Sequence, residues 1–112
     1  MLDLNAIPVT FSGGTTSTIG KLGVQVLVGI FLPSNWSGVG ALNFNVSPVN
    51  DGVNFFPLKD ESGTAVSLTA TAAGTFYAIS NFNQWAGVNM VQLVAAAAQT
   101  CTVTLLVRTV GF

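Results

Sequence analysis

From residue 41 to residue 47 apolar and polar side chains alternate without a break. Leu42, Phe44 and Val46 fall on one side, and Asn43, Asn45 and Ser47 on the other. Successive side chains of a strand point to opposite faces, so this pattern predicts a half-buried antiparallel strand. The same alternation ends the chain. Within a strand over residues 101–110, Val103, Leu105 and Val107 face in, and Thr102, Thr104 and Arg108 face out. The run over residues 21–31 differs. Val24, Val26, Val28 and Ile30 share one face, Gln25, Leu27, Gly29 and Phe31 the other, and both are largely apolar. That predicts a strand covered on both sides.

Turn signals divide the rest. Asn50-Asp51-Gly52 supplies the positive-φ positions of a tight turn and leads into a strand over residues 53–58. Asp60-Glu61-Ser62-Gly63 joins that strand to residues 64–69 as a hairpin. Residues 75–79 form a short aromatic strand. Phe82-Asn83-Gln84-Trp85 reads as a tight turn or one turn of 3₁₀ helix before a strand over residues 88–94. The alanines of residues 95–98 either extend that strand or form a short helical loop. Near the start, Ile7-Pro8-Val9-Thr10-Phe11 is a strand whose proline confines it to an edge or a strand start. Residues 12–18, rich in Gly, Ser and Thr, read as a flexible or extended linker.

Seven or eight short strands with a turn signal about every ten residues predict an all-β fold, a single antiparallel β-sandwich or jelly roll with under a tenth helix. The expected organisation is one sandwich domain over residues 21–112 preceded by an extended N-terminal arm of residues 1–20. The chain of 112 residues has no fixed-period repeat and is of a size for one core.

Composition changes this picture in one respect. Only seven side chains are charged, 6% of the chain, where about 25% is usual. A folded monomer of this size exposes roughly 5,800 Å², which leaves one charge for roughly 800 Å² where an average composition gives one for roughly 200 Å². A surface so poor in charge, with a formal net charge of −1, has little to keep it from associating. Charge depletion is also what buried interfaces show. The competing reading is a monomer kept soluble by its Thr, Ser, Asn and Gln side chains. Three basic residues cannot neutralise a run of phosphates, so no nucleic-acid partner is expected. No basic amphipathic segment or spanning apolar stretch suggests a membrane, and Met1-Leu2-Asp3-Leu4 does not open a secretory signal.

Candidate chemistry is sparse. The sequence has no histidine and one cysteine, Cys101. That removes the usual general base, a Cys–His dyad and a zinc site, and leaves Cys101 as a buried small hydrophobe. Residues 14–21 superficially match a phosphate-binding loop. One residue too many separates the glycines, however, and Leu22 stands where Ser or Thr should hold magnesium. Asp51 and Asp60 are explained by turn chemistry, and no EF-hand spacing accompanies them. No catalytic residue, cofactor or metal site is therefore expected. Asn35-Trp36-Ser37 and Asn45-Val46-Ser47 match the glycosylation acceptor pattern, which without a signal segment means little.

From Leu32 onward the chain resembles a small structural protein of tailed-bacteriophage virions. The resemblance is carried by Leu32-Pro33-Ser34-Asn35-Trp36, Leu42, Phe44, Ser47, Asp51-Gly52 and the run from Phe55 to Leu58. It continues through Asp60, Gly63, Tyr77-Ala78, Phe82, Trp85, Val88, Val91 and Leu93 to Leu106-Val107-Arg108. About two-thirds of the chain is covered. The resemblance implies a jelly roll that serves as a non-enzymatic cement or decoration protein on the virion head surface, with the major capsid protein and further copies of itself as partners. By analogy with such proteins on local threefold axes, the oligomer is expected to be a trimer. The candidate assembly residues are Leu2, Leu4, Ile7 and Phe11 of the arm, apolar and followed by a segment too rich in Gly and Thr to build a core. The alternative is a carbohydrate-binding sandwich module of a tail fibre or baseplate, with Trp36, Tyr77 and Trp85 as a stacking platform. More often such aromatics cap a sandwich core while their N–H or O–H reaches a polar partner.

Overall fold

The computed structural model describes residues 4–37, 40–49, 51–69 and 71–109. The chain is nearly all β, 58% strand and 4% helical, as the period-two patterning requires. Eight antiparallel strands form one curled, sandwich-like sheet: β1 Leu4–Thr16, β2 Gly20–Lys21, β3 Gln25–Leu32, β4 Leu42–Ser47, β5 Phe56–Pro57, β6 Ser67–Leu68, β7 Thr75–Ala78 and β8 Met90–Thr109. A 3₁₀ turn, Phe82–Trp85, precedes β8.

β8 organises everything else. Its 20 residues would reach about 66 Å if straight, whereas the longest dimension of the molecule is 39 Å. The strand must therefore bend, and it does so at Ala96, Ala97 and Ala98, which are exposed. Before the bend β8 pairs with β4 from Ser47↔Met90 to Leu42↔Ala95. After it, β8 pairs with β3 from Phe31↔Thr104 to Gln25↔Thr109. Its opposite margin carries β2 at Gly20↔Val91 and β1 from Ser12↔Thr100 to Leu4↔Arg108. A single strand that passes from one layer to the other at a bend is how sandwich corners are made. The alanines thus extend the strand, and the two strands expected at residues 88–94 and 101–110 are one; Val110 itself lies outside the described residues.

The inner faces of both layers meet in one core. Leu42 and Phe44 of β4, with Val46 at their edge, share it with Val103, Leu105 and Val107 of β8 and with Leu27, Ile30 and Leu32 of β3. Two expectations need correction here. Residues 1–20 are not an arm separate from the domain in the part the structure describes, because β1 is a full strand of the sheet. Val9 and Phe11 are almost wholly buried opposite Val103 and Cys101. Their apolar side chains, two positions apart, reach the same core face as the last strand, and that burial outweighs any tendency to extend.

Nor are residues 12–18 a linker. Gly13, at φ 91°, and two register shifts let β1 turn the corner, from Gly14↔Gln99 to Thr16↔Val94. Two steps along β1 match five along β8, so β8 takes the outer path of the bend. Ser17 then clamps the corner shut. Its N–H donates to the Leu93 carbonyl and the Leu93 N–H donates to its hydroxyl, each at 2.9 Å.

β3 also departs from simple alternation. A bulge between Leu27 and Gly29 shifts its register on β8, so Leu27, Ile30 and Leu32 share the inner face across an odd step. Phe31 is 54% exposed, and Val24, in the turn before the strand, is 87% exposed. The strand expected over residues 53–58 shortens to β5, and that over 64–69 to β6. Both pair with β4, and the tip between them closes through a Lys59↔Ala65 bridge. Pro8 stands on β1, a margin strand, as its missing N–H demands.

Candidate interaction surface

The structure scatters the residues singled out from sequence. Leu2 lies outside the described residues. Leu4 is 60% exposed at the end of β1, but Ile7 is half-buried on the core face and Phe11 is in the core itself. Phe11 meets Trp36 edge-on, ring centroids 5.6 Å apart. Ile7 and Phe11 therefore do not belong to an external docking stripe, because strand alternation sends both inward.

The aromatic platform does not form either. Trp36 is 6% exposed and donates its indole N–H to the Thr71 hydroxyl at 3.1 Å, which donates in turn to the Gly40 carbonyl at 3.0 Å. Trp85 is buried beneath Phe44, edge-on at 4.9 Å. Tyr77 lies on the inner side of β7 opposite Ile30, and its hydroxyl accepts the Ala72 N–H at 2.9 Å. Each ring packs on the core, and the polar tips of Trp36 and Tyr77 each find a partner.

Polar side chains mostly serve the backbone. Gln99, buried where the corner begins, accepts from the Ser37 N–H at 2.8 Å and donates back to the Ser37 carbonyl. Asn35 donates to the Thr100 carbonyl at 3.3 Å. These bonds pin the loop after β3 onto β8. Asp51 Oδ1 accepts the N–H groups of Val53 and Asn54 at 3.1 and 3.2 Å, while Asn54 also donates to its other oxygen. The Val53 amide first, then Asn54, hold the Asp51 carboxyl below the usual carboxylate range. Asp60 Oδ1 accepts from Thr64 N–H at 2.9 Å and from Ser62 N–H and hydroxyl at 2.9 and 2.8 Å, which lowers it likewise. Both aspartates are turn formers. Burial pushes the Cys101 thiol up. A shallow cleft of about 340 Å³ opens between Lys59, Asp60, Glu61, Asn81, Asn83 and Gln84. Among the described residues no three His, Cys, Asp or Glu side chains gather as a metal site would need.

What remains is the outer face of the β1–β8–β3–β7 layer. Register places its side chains in rows. Ala6, Leu106, Gly29 and Ala78 form one, and Pro8, Thr104, Phe31 and Phe76 the next. Phe31 and Phe76 stand opposite each other with centroids 4.8 Å apart, and Phe76 is 41% exposed. The Phe76 ring lies over Gly29, where a Cβ would come within 2.3 Å of it. Glycine is there to make room for the ring. Arg108, opposite Leu4, is the only charged side chain in these rows and the one beside them. Sequence periodicity missed Phe31 and Phe76 as surface residues. The bulge that turns Phe31 outward leaves no trace in composition, and residues 75–79 read only as a short aromatic strand.

No protein-family model matches this chain, and no curated protein or solved structure is detectably similar to it.

Proposed function

We propose that this chain is a non-enzymatic structural protein of a particle, of the cement or decoration kind that residues 32–108 resemble, and that it docks on a major capsid protein through the outer face of its β1–β8–β3–β7 layer. The observation that carries this reading is the pair Phe31 and Phe76. Two half-exposed aromatics sit on a sheet face whose neighbours are Ala, Leu, Pro and Thr, with one arginine at its end. Exposed apolar surface of that kind, where it is contiguous, marks interaction sites. Burying it removes almost no charge from water, so the desolvation penalty that weakens charged interfaces is small. The docking element is accordingly the sheet face, with Leu4 at its margin, and not a free arm.

The test is to tag the chain in its native host and band the particles on a density gradient. A fixed number of copies per major capsid protein supports the reading, and a Phe31→Glu variant that stays folded should leave the particle band. A chain that remains at the top of the gradient in all conditions would sink it.

A further inference from the structure

We propose that two copies of this chain join edge to edge through β7, continuing the sheet across a two-fold axis at Tyr77. The geometry begins with hydrogen-bond parity. Ile79 donates to the Val28 carbonyl, and the β3–β7 register continues as Ile30↔Tyr77 and Leu32↔Thr75. In an antiparallel ladder alternate residues bond to the same neighbour. Tyr77 and Thr75 therefore spend their backbone groups on β3, while the N–H and C=O of Phe76 and Ala78 point away from it. Among the described residues none supplies a hydrogen bond to those four groups.

Other margins of the same sheet are guarded. On β1, Pro8 has no N–H to offer, and Thr10 is closed by Thr18, whose hydroxyl accepts the Thr10 N–H and whose N–H reaches the Thr10 carbonyl, each at 2.9 Å. β5 and β6 are two residues long, and β5 includes Pro57. β7 has no proline, bulge or charge of its own, and no charged residue occurs between Ser62 and Val107. Natural proteins blunt exposed edges by such devices, so their absence on one edge alone marks it as an edge with a partner.

The partner that fits is a second copy. With the axis at Tyr77, Phe76 of each copy faces Ala78 of the other, a large side chain against a small one on the outer face. Both pairs exchange backbone bonds, about four in all. The surface of 6045 Å² shared among seven charges leaves about 860 Å² for each. A standard interface of roughly 800 Å² per partner can thus form at the cost of about one charge. The pairing is isologous and closes at two copies, unlike the trimer that the phage resemblance implies. It also sets two Phe31–Phe76 faces side by side, which deepens the docking reading above while standing on separate observations.

The experiment uses the purified chain with no particle present, so its failure is read apart from failure of particle docking. Sedimentation velocity should show a dimer at about 100 µM, above the roughly micromolar-or-tighter dissociation constants of standard-size interfaces. Hydrogen exchange should show the Phe76 and Ala78 amides protected. Ala78→Lys keeps the β3 ladder and places a charge in the seam; Ala78→Pro removes an outward N–H. Each should weaken the dimer by at least about tenfold with an unchanged circular-dichroism spectrum. If Ala78→Pro does not fold, Ala78→Lys decides. A wild-type monomer at that concentration, or a dimer whose Phe76 and Ala78 amides exchange freely, would overturn the proposal.

Discussion

β1 and β7 lie at opposite margins of the same layer, yet they are built for different ends. β1 is 13 residues long and sends Val9 and Phe11 into the core. It follows β8 around the corner, and its outward edge is interrupted at Pro8 and closed at Thr10 by Thr18. β7 is four residues long, contributes no wholly buried side chain and leaves its outward backbone groups open. One margin is committed to holding the fold, and the other spends less on the fold and more on the surface. Strand propensity alone would favour β7, with Thr, Phe and Tyr in four residues, over β1, which carries Asn5, Pro8, Gly13 and Gly14. The burial of the alternating face and the parity of the ladder are what separate their roles.

The comparison can be broken most sharply at β1. Phe11→Ala should cost about 3–5 kcal/mol, because it removes a buried ring wedged against Trp36 and leaves a cavity, as read by urea denaturation. Deleting residues 4–16 should leave no cooperative transition at all. Next in size is Gly29→Ala. It should cost about 1–3 kcal/mol by forcing the Phe76 ring off the sheet, and the same change in a Phe76→Ala background should cost much less. A double-mutant cycle checks that coupling. Phe76→Ala alone should cost about 1 kcal/mol, since the ring is partly exposed and its loss opens no enclosed cavity. Thr18→Val should cost about 0.5–1 kcal/mol by unclosing the β1 edge, seen as faster exchange of the Thr10 amide.

The smallest effect touches neither margin. Asp51 and Asp60 have folded-state pKa values below the ordinary carboxylate value. Their contribution to stability is therefore present above the unfolded-state pKa of about 4 and is lost as pH falls through the lower folded-state values. Thermal unfolding should be flat from pH 5 to neutrality, to within roughly a degree or two, and decline below about pH 4. Asp60→Asn should shrink the decline.

How much of this could be read from the residues depends on the element. β4 and the second half of β8 were legible because each has one face in the core and one outside, so period two appears directly in the sequence. The Asp51 and Asp60 turns were legible because Asp followed by Gly within a few residues has a local mechanism. The alternation expected along β3 breaks at its bulge, where one extra residue reverses every later side chain; Gly29 inside a strand pattern is the one local hint of it. Residues 12–18 were misread because Gly and Thr serve a strand that must turn a corner as well as a linker that need not be a strand. The two tryptophans suit a wet platform or, more often, a core cap, and the sequence alone does not separate the two; Thr71 and Phe44, brought up from elsewhere in the chain, make them core caps. The face around Phe31 and Phe76 is assembled from four strands distant in sequence and had no local signal.

β8, finally, is the last of the eight strands to be synthesised, and β1, β2, β3 and β4 all pair with it. β1 and β2 have no other partner in the sheet. While the ribosome is still adding residues, β1 and β2 have nowhere to dock, and the pairing of Leu4 with Arg108 joins nearly the whole described length of chain. A topology so dominated by distant contacts folds slowly, over milliseconds to seconds. Folding here must wait for release of the last strand, and during that interval a chain with very few charges is exposed to its neighbours. A nascent chain stalled before residue 90 should thus remain open to protease throughout β1 and β2, and one extended past residue 109 by a linker long enough to clear the exit tunnel should become resistant there in a single step.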